Sequence, residues 1–201
     1  MLPLLFAAQA ASDTSSADLT ADHAVRRGAV VGLTLGGGIG QGEGYPNNSD
    51  DIGKIGYARS RWMPGSGVTL LVMGALSDYL SFGFWYAHLQ FDSSGWRARQ
   101  NGVGLRLEGF PLLSILPSVK GVGLFAEFGV GTAMMTVPGA LEVSGTQSVI
   151  GCGAFYEWSP FHFLGGHLGL GPSVEMNAVF SQAYDQTGLV VGLRTVFYGG
   201  P

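Results

Sequence analysis

The sequence predicts an all-β protein, an eight-stranded antiparallel up-and-down β-barrel that crosses a membrane. Three observations carry this expectation. Apolar residues alternate with glycine or polar residues along segments of ~9–11 positions or more, the period and length of strands with two unlike faces that span a bilayer at a tilt. Glycine supplies 34 of 201 residues, far above the ordinary ~7%, and shows no collagen period. Charged residues make up only 12% of the chain and mean hydropathy is +0.28, yet the faces opposite the apolar ones hold mostly glycine, too poor in Lys and Glu for a water-facing surface.

The last strand, residues 187–198, shows the pattern best. TGLVVGLRTVFY places Leu189, Val191, Leu193 and Phe197 on one face and Gly188, Gly192 and Arg194 on the other. The same reading gives strands over 28–40, 68–76, 80–91, 97–110, 121–134, 148–158 and 163–179. In the first, Ala29, Val31, Leu33, Leu35 and Ile39 oppose six residues of which five are glycine. The facing of 68–76 is open, because both parities are apolar. A spanning helix over 121–141 is disfavoured, since it would carry Glu127 and Pro138 and keep Gly121, Gly123, Gly129 and Gly131 on alternate positions. Pro172 removes one ladder hydrogen bond, so a bulge or irregularity is expected there. Ser159-Pro160 reads as a turn.

Ahead of the barrel, residues 1–10 read MLPLLFAAQA, an apolar run closing on Ala8-Gln9-Ala10, as at the end of a partial secretory signal peptide. Residues 11–27 are small and polar, a flexible periplasmic leader. The barrel is then 28–198. An even number of strands joined as hairpins puts both termini on one side of the membrane, and the expectation is the periplasmic side of a bacterial outer membrane. The long charged connection 41–66 then lies outside, with 92–96, 136–147 and 181–186. Aromatics gather near strand ends as two girdles: Tyr79, Phe110, Trp158, Phe161, Phe163, Phe197 and Tyr198 on one rim, Tyr86, Phe91, Trp96, Phe180 and Tyr184 on the other.

On this pattern, and on the aromatic-ended LRTVFY, residues 28–198 resemble the small eight-stranded outer-membrane β-barrels, of the outer-membrane protein A and outer-membrane protein W type. The resemblance implies that the barrel assembly machinery reads strand 187–198, although Gly199-Gly200-Pro201 follow the aromatics here. Partners are therefore outer-membrane lipid and that machinery; any external ligand is unspecified.

The lumen of such a barrel is only about wide enough for side chains. Arg106, Glu108, Glu127 and Arg194 fall on its face and are expected to form an internal ion network, with His167 at its edge. Glu157, Ser173, Glu175 and Asn177 are further lumen-facing residues. Neutral filling of a narrow core is one reading, since an unpaired buried charge is costly; a gate in a small pore is another. A soluble lipocalin-like barrel would need the apolar faces inside. A lipid A-modifying enzyme of this architecture would need a serine close to its histidine, but Gly169 stands two residues after His167 and Leu164 two after His162. Ser173 lies six residues from His167, ~20 Å along a strand. No catalytic residue, cofactor or metal site is expected. Gly36-Gly37-Gly38-Ile39-Gly40 lacks the Lys-Ser/Thr of a phosphate loop. A net charge of -4 with scattered Lys and Arg provides no nucleic-acid footprint, and the single Cys152 excludes an internal disulfide or a cysteine metal cluster.

Overall fold

The computed structural model describes residues 26–44, 58–113, 120–139, 142–181 and 184–200. The signal-like segment 1–10, the leader up to residue 25 and most of the first connection fall outside these. The strand segments are β1 (Gly28–Gly44), β2 (Ala58–Arg59), β3 (Met63–Ser77), β4 (Leu80–Ser93), β5 (Trp96–Gly109), β6 (Val122–Thr136), β7 (Val143–Tyr156), β8 (Trp158–Phe163), β9 (Gly166–Phe180) and β10 (Tyr184–Gly199). Each pairs antiparallel with its neighbour, and β10 closes on β1 from Ala29↔Gly199 to Gly44↔Tyr184. β7 and β8 both pair with β9 and form one stave, while β2 is a two-residue patch on β1. Eight staves therefore make a closed barrel, in which the ladder of each described stave finds partners in both neighbours.

Alternation sorts the side chains. Even positions point inward on β1, β5 and β10, and odd positions on β3, β4, β6, β7 and β9. This settles the strand whose facing the sequence leaves open: Thr69, Leu71 and Met73 are buried in the barrel, while Leu70 and Val72 face out. Outside, Val31, Leu35, Phe82, Phe84, Val103, Phe128, Ile150, Leu189, Val191 and Leu193 form a continuous exposed apolar belt, a surface that water does not tolerate at this extent. The belt ends abruptly. Beyond Ile39, Tyr86, Val103, Val130, Ile150 and Leu189 the next outward residues are Gln41, His88, Asn101, Thr132, Ser148 and Thr187. There the exterior becomes a hydrogen-bonded polar collar: His88 Nδ1 meets Asn101 Oδ1 at 2.8 Å, Arg99 donates to Gln90 at 3.1 Å and Arg59 donates to Gln41 at 3.1 Å. Strands of 14–17 residues exceed the ~9–11 that cross a bilayer, and the collar is the surplus.

Three sequence expectations change. The strands run longer than their apolar patterns, because the collar keeps the ladder while losing the hydrophobic face; β7 starts at Val143 rather than 148. The turn expected at Ser159-Pro160 lies instead at Leu164-Gly165, so that β9 begins at Gly166 rather than 163. Ser159 and Pro160 sit in a register shift between Trp158 and Phe161. Pro172 interrupts the ladder as expected: β7 stops pairing at Phe155↔Ser173 and β8 resumes at Trp158↔Leu170, while the Glu157 amide donates to the Gly121 carbonyl at 2.8 Å. Of the aromatics assigned to rims, Phe91, Phe110, Tyr184 and Tyr198 are buried inside the barrel. Phe91, Tyr184 and Tyr198 have inward parity, which outweighs their nearness to strand ends.

Glycine lets the staves close around so few interior side chains. Gly104 faces Gly129 across β5 and β6, and a Cβ on Gly104 would overlap the Phe128 carbonyl, one on Gly129 that of Val103. Gly145 has open space around it. Gly104→Ala is expected to destabilise the refolded protein by about 1–3 kcal/mol through overpacking, and Gly145→Ala to stay within ~0.5 kcal/mol. Urea unfolding in detergent micelles measures both.

Candidate functional site

The inward parity of β5, β6, β9 and β10 delivers Arg106, Glu108, Glu127, Glu175, Asn177 and Arg194 to the lumen, each at most 4% exposed. β5 and β10 lie four staves apart in a ring of eight, on opposite walls. Arg194 reaches across that diameter: its two terminal nitrogens donate to the two oxygens of Glu108, both at 2.7 Å. Its Nε donates to Glu157 at 3.1 Å, and the Tyr198 hydroxyl donates to the other Glu157 oxygen at 2.7 Å. Arg106 joins the same Glu108 at 2.8 Å and Glu127 at 3.0 Å, with Glu175 at 4.0 Å. Asn177 links onward, donating to Glu175 at 2.5 Å. Ser173 is buried beside this group on β9, facing Gly192.

The structure thus brings Arg106, Glu108, Glu127 and Arg194 together and adds Glu157, Glu175 and Asn177. His167 is the ladder partner of Tyr198, whose hydroxyl joins the network, and lies opposite His162 next to the Leu164-Gly165 turn, with ring centroids 4.3 Å apart.

Sequence reading missed the network's aromatic floor. Arg106 stacks on Phe125 at 3.4 Å and Arg194 on Phe155 at 4.2 Å. Phe155 in turn packs edge-on against Phe110 and parallel to Phe125. A desolvated cation over a ring contributes on the order of 2 kcal/mol, and the rings fill the space around the guanidinium groups. The parity of Phe125 and Phe155 was legible; their pairing with particular arginines was not. Arg26, from the stretch read as leader, was missed as well. It is 8% exposed, lies 3.7 Å over Phe110 and pairs with Glu157 at 3.6 Å.

Toward the polar collar the lumen holds apolar clusters beside buried Gln100, Gln147 and Gln186, of which Gln186 accepts from the Tyr184 hydroxyl at 2.7 Å. Met63, Leu89, Phe91, Ala98 and Val190 form one buried cluster, and Trp85, Leu71, Val149 and Val179 belong to another. The Trp85 indole donates to the Leu105 carbonyl at 3.1 Å, so its polar edge is satisfied. Buried side chains pack this part of the interior.

The fold is that of the small eight-stranded outer-membrane β-barrels. The attachment invasion locus protein Ail of Yersinia pestis superimposes with a TM-score of 0.56 at 11% identity, covering 85% of this chain and 99% of its own. Neisserial surface protein A aligns at 0.47 and 11% identity over 82% and 95%, and OprG of Pseudomonas aeruginosa at 0.40 and 10% over 87% and 98%. No protein-family model matches the chain, and no curated protein matches it in sequence.

A buried ion pair that loses one partner typically costs 3–5 kcal/mol, because the other charge remains in low dielectric. Arg194→Ala leaves Glu108 with Arg106 alone and Glu157 with Tyr198 and Arg26, and is expected to lose up to about that much. Pairing Arg194→Met with Glu108→Gln should recover part of it. The urea midpoint, followed by tryptophan fluorescence, reads the difference.

Proposed function

We propose that this chain is an integral protein of the bacterial outer membrane whose lumen is a structural core and whose role is structural or surface contact, exerted from the rim opposite its termini. One observation carries the reading: the arginine–glutamate network on its phenylalanine floor is buried, and so are Trp85, Leu89 and Phe91 beyond it, these three at most 1% exposed. Side chains so buried among the described residues support a packed interior over a water-filled one. The apolar belt supports placement in lipid, with polar collar residues such as Arg97, Arg99 and Arg59 standing beyond it.

In this reading both termini are periplasmic and the connection between β1 and β3 is external, in keeping with short periplasmic turns and longer outer loops. The last twelve residues of the barrel, 187–198, serve twice. They form the closing seam against β1, and they present Phe197 and Tyr198 to the assembly machinery as the terminal aromatic signal.

A small gated pore is the second reading, favoured by the density of charge in the lumen: Arg26, Arg106 and Arg194 against Glu108, Glu127, Glu157 and Glu175. The two readings part in planar bilayers. The unmodified protein, refolded in detergent, is expected to give no stepwise conductance, and neither is Arg194→Ala. Stepwise conductance in the unmodified protein would refute the closed-core reading, and conductance opened by Arg194→Ala would assign the network as a gate. Recovery of the chain in a detergent-free soluble fraction would overturn membrane placement altogether.

A further inference from the structure

The Leu164-Gly165 turn sets two histidines where the side chains of paired strands come closest. Both turn residues have positive φ, 49° and 74°, the geometry of the two-residue type I′ hairpin, whose twist matches that of its strands. In such a hairpin the residues flanking the turn, Phe163 and Gly166, form the hydrogen-bonded pair. The next pair outward, His162 and His167, is then a non-hydrogen-bonded pair, in which Cα atoms lie ~4.5 Å apart and both side chains leave the same face. The imidazole centroids are 4.3 Å apart, with ring planes at 61°. His162 is exposed and His167 half-buried.

We infer that His162 and His167 form a two-histidine site for a divalent first-row transition cation, at the rim of the barrel where β1 begins and β10 ends. Imidazole nitrogen is a preferred ligand for Cu2+, Ni2+ and Zn2+, with Cu2+ bound most tightly in that series. Bonds of ~2.0–2.1 Å from two rings to one ion hold the rings within a few ångströms of each other, which is where the hairpin already holds them. Ligation needs rotation of the rings about their own side-chain bonds and no movement of the strands. The backbone is held on both sides, by the turn and by pairing of His167 with Tyr198 of β10, so the entropy of gathering the ligands is spent in folding. Two protein ligands leave further positions to water or to an incoming donor. The site is separate from the arginine network, whose Tyr198 hydroxyl is committed to Glu157.

The test is a titration of the refolded full chain in detergent micelles with Cu2+, followed by calorimetry and by electron paramagnetic resonance. The expected result is one equivalent with hyperfine coupling to two imidazole nitrogens. His162→Ala and His167→Ala should each weaken that equivalent by at least the ~10–100-fold that loss of an outer-shell partner costs a metal site. His23→Ala and His88→Ala should leave it unchanged, and heat-modifiable gel migration verifies that each variant is folded. An unchanged isotherm in the His162→Ala/His167→Ala double variant overturns the site, and so does an affinity that follows His23 or His88. A spectrum of the unmodified protein without two equivalent nitrogens overturns it independently of any variant.

Discussion

The two-pronged hydrogen bond from Arg194 to Glu108 is the contact on which the interior depends. It joins opposite walls of the barrel, 86 residues apart in sequence, with both side chains at 0% exposure. A guanidinium in a space with little room for water must find donors' partners in fixed directions, and a carboxylate matches its planar fork at two points. Once that pair spans the lumen, the remaining charges fall into place around it. Glu108 also receives Arg106, Arg194 also reaches Glu157, and Arg106 extends the chain to Glu127.

The network works as a unit with the glycines and phenylalanines around it. Side chains as long as arginine cannot cross an eight-stave lumen unless neighbouring positions are nearly empty, and Gly104, Gly129, Gly151 and Gly192 provide that space on four staves. Gly151 borders the network directly: a Cβ there would meet Oε1 of Glu127 at 2.5 Å and Oδ1 of Asn177 at 2.7 Å. Phe110, Phe125 and Phe155 then fill the remaining volume with ring faces that attract the guanidinium groups. Salt bridges in such a core are weak promoters of stability by themselves, since desolvation offsets much of the attraction. Their effect is to disfavour other arrangements, because any register that separates Arg194 from Glu108 removes the two-pronged contact and leaves Glu108 with Arg106 and Arg194 with Glu157 as their remaining charged partners.

The exterior follows a different rule, and the boundary between apolar belt and polar collar records it. On the proposed placement, outward positions within the bilayer are apolar because lipid is the solvent, and beyond it they are paired polar groups such as Asp92 with Arg97, because water is. The strand ladder continues through the change without interruption. For this reason hydrophobic pattern alone marks the membrane crossing rather than the strand, and the sequence-based boundaries of β1, β3 and β7 fall short of those in the structure.

Fold class, strand number, connectivity and the two faces of nearly every strand were legible in the amino-acid sequence, because alternation with a period of two is a local property. The inward placement of Arg106, Glu108, Glu127 and Arg194 followed from the same parity. The 68–76 strand resisted, since a strand apolar on both parities carries no local sign of its facing, and Leu164-Gly165 went unread as a turn because leucine rarely takes positive φ. What only the tertiary structure decided is who meets whom. Arg194 with Glu108, Arg106 with Phe125, Arg26 with Glu157 and His162 with His167 depend on the stagger of the staves and on where the barrel closes. Those are set by the pairing of all eight together, and no single strand's sequence contains them.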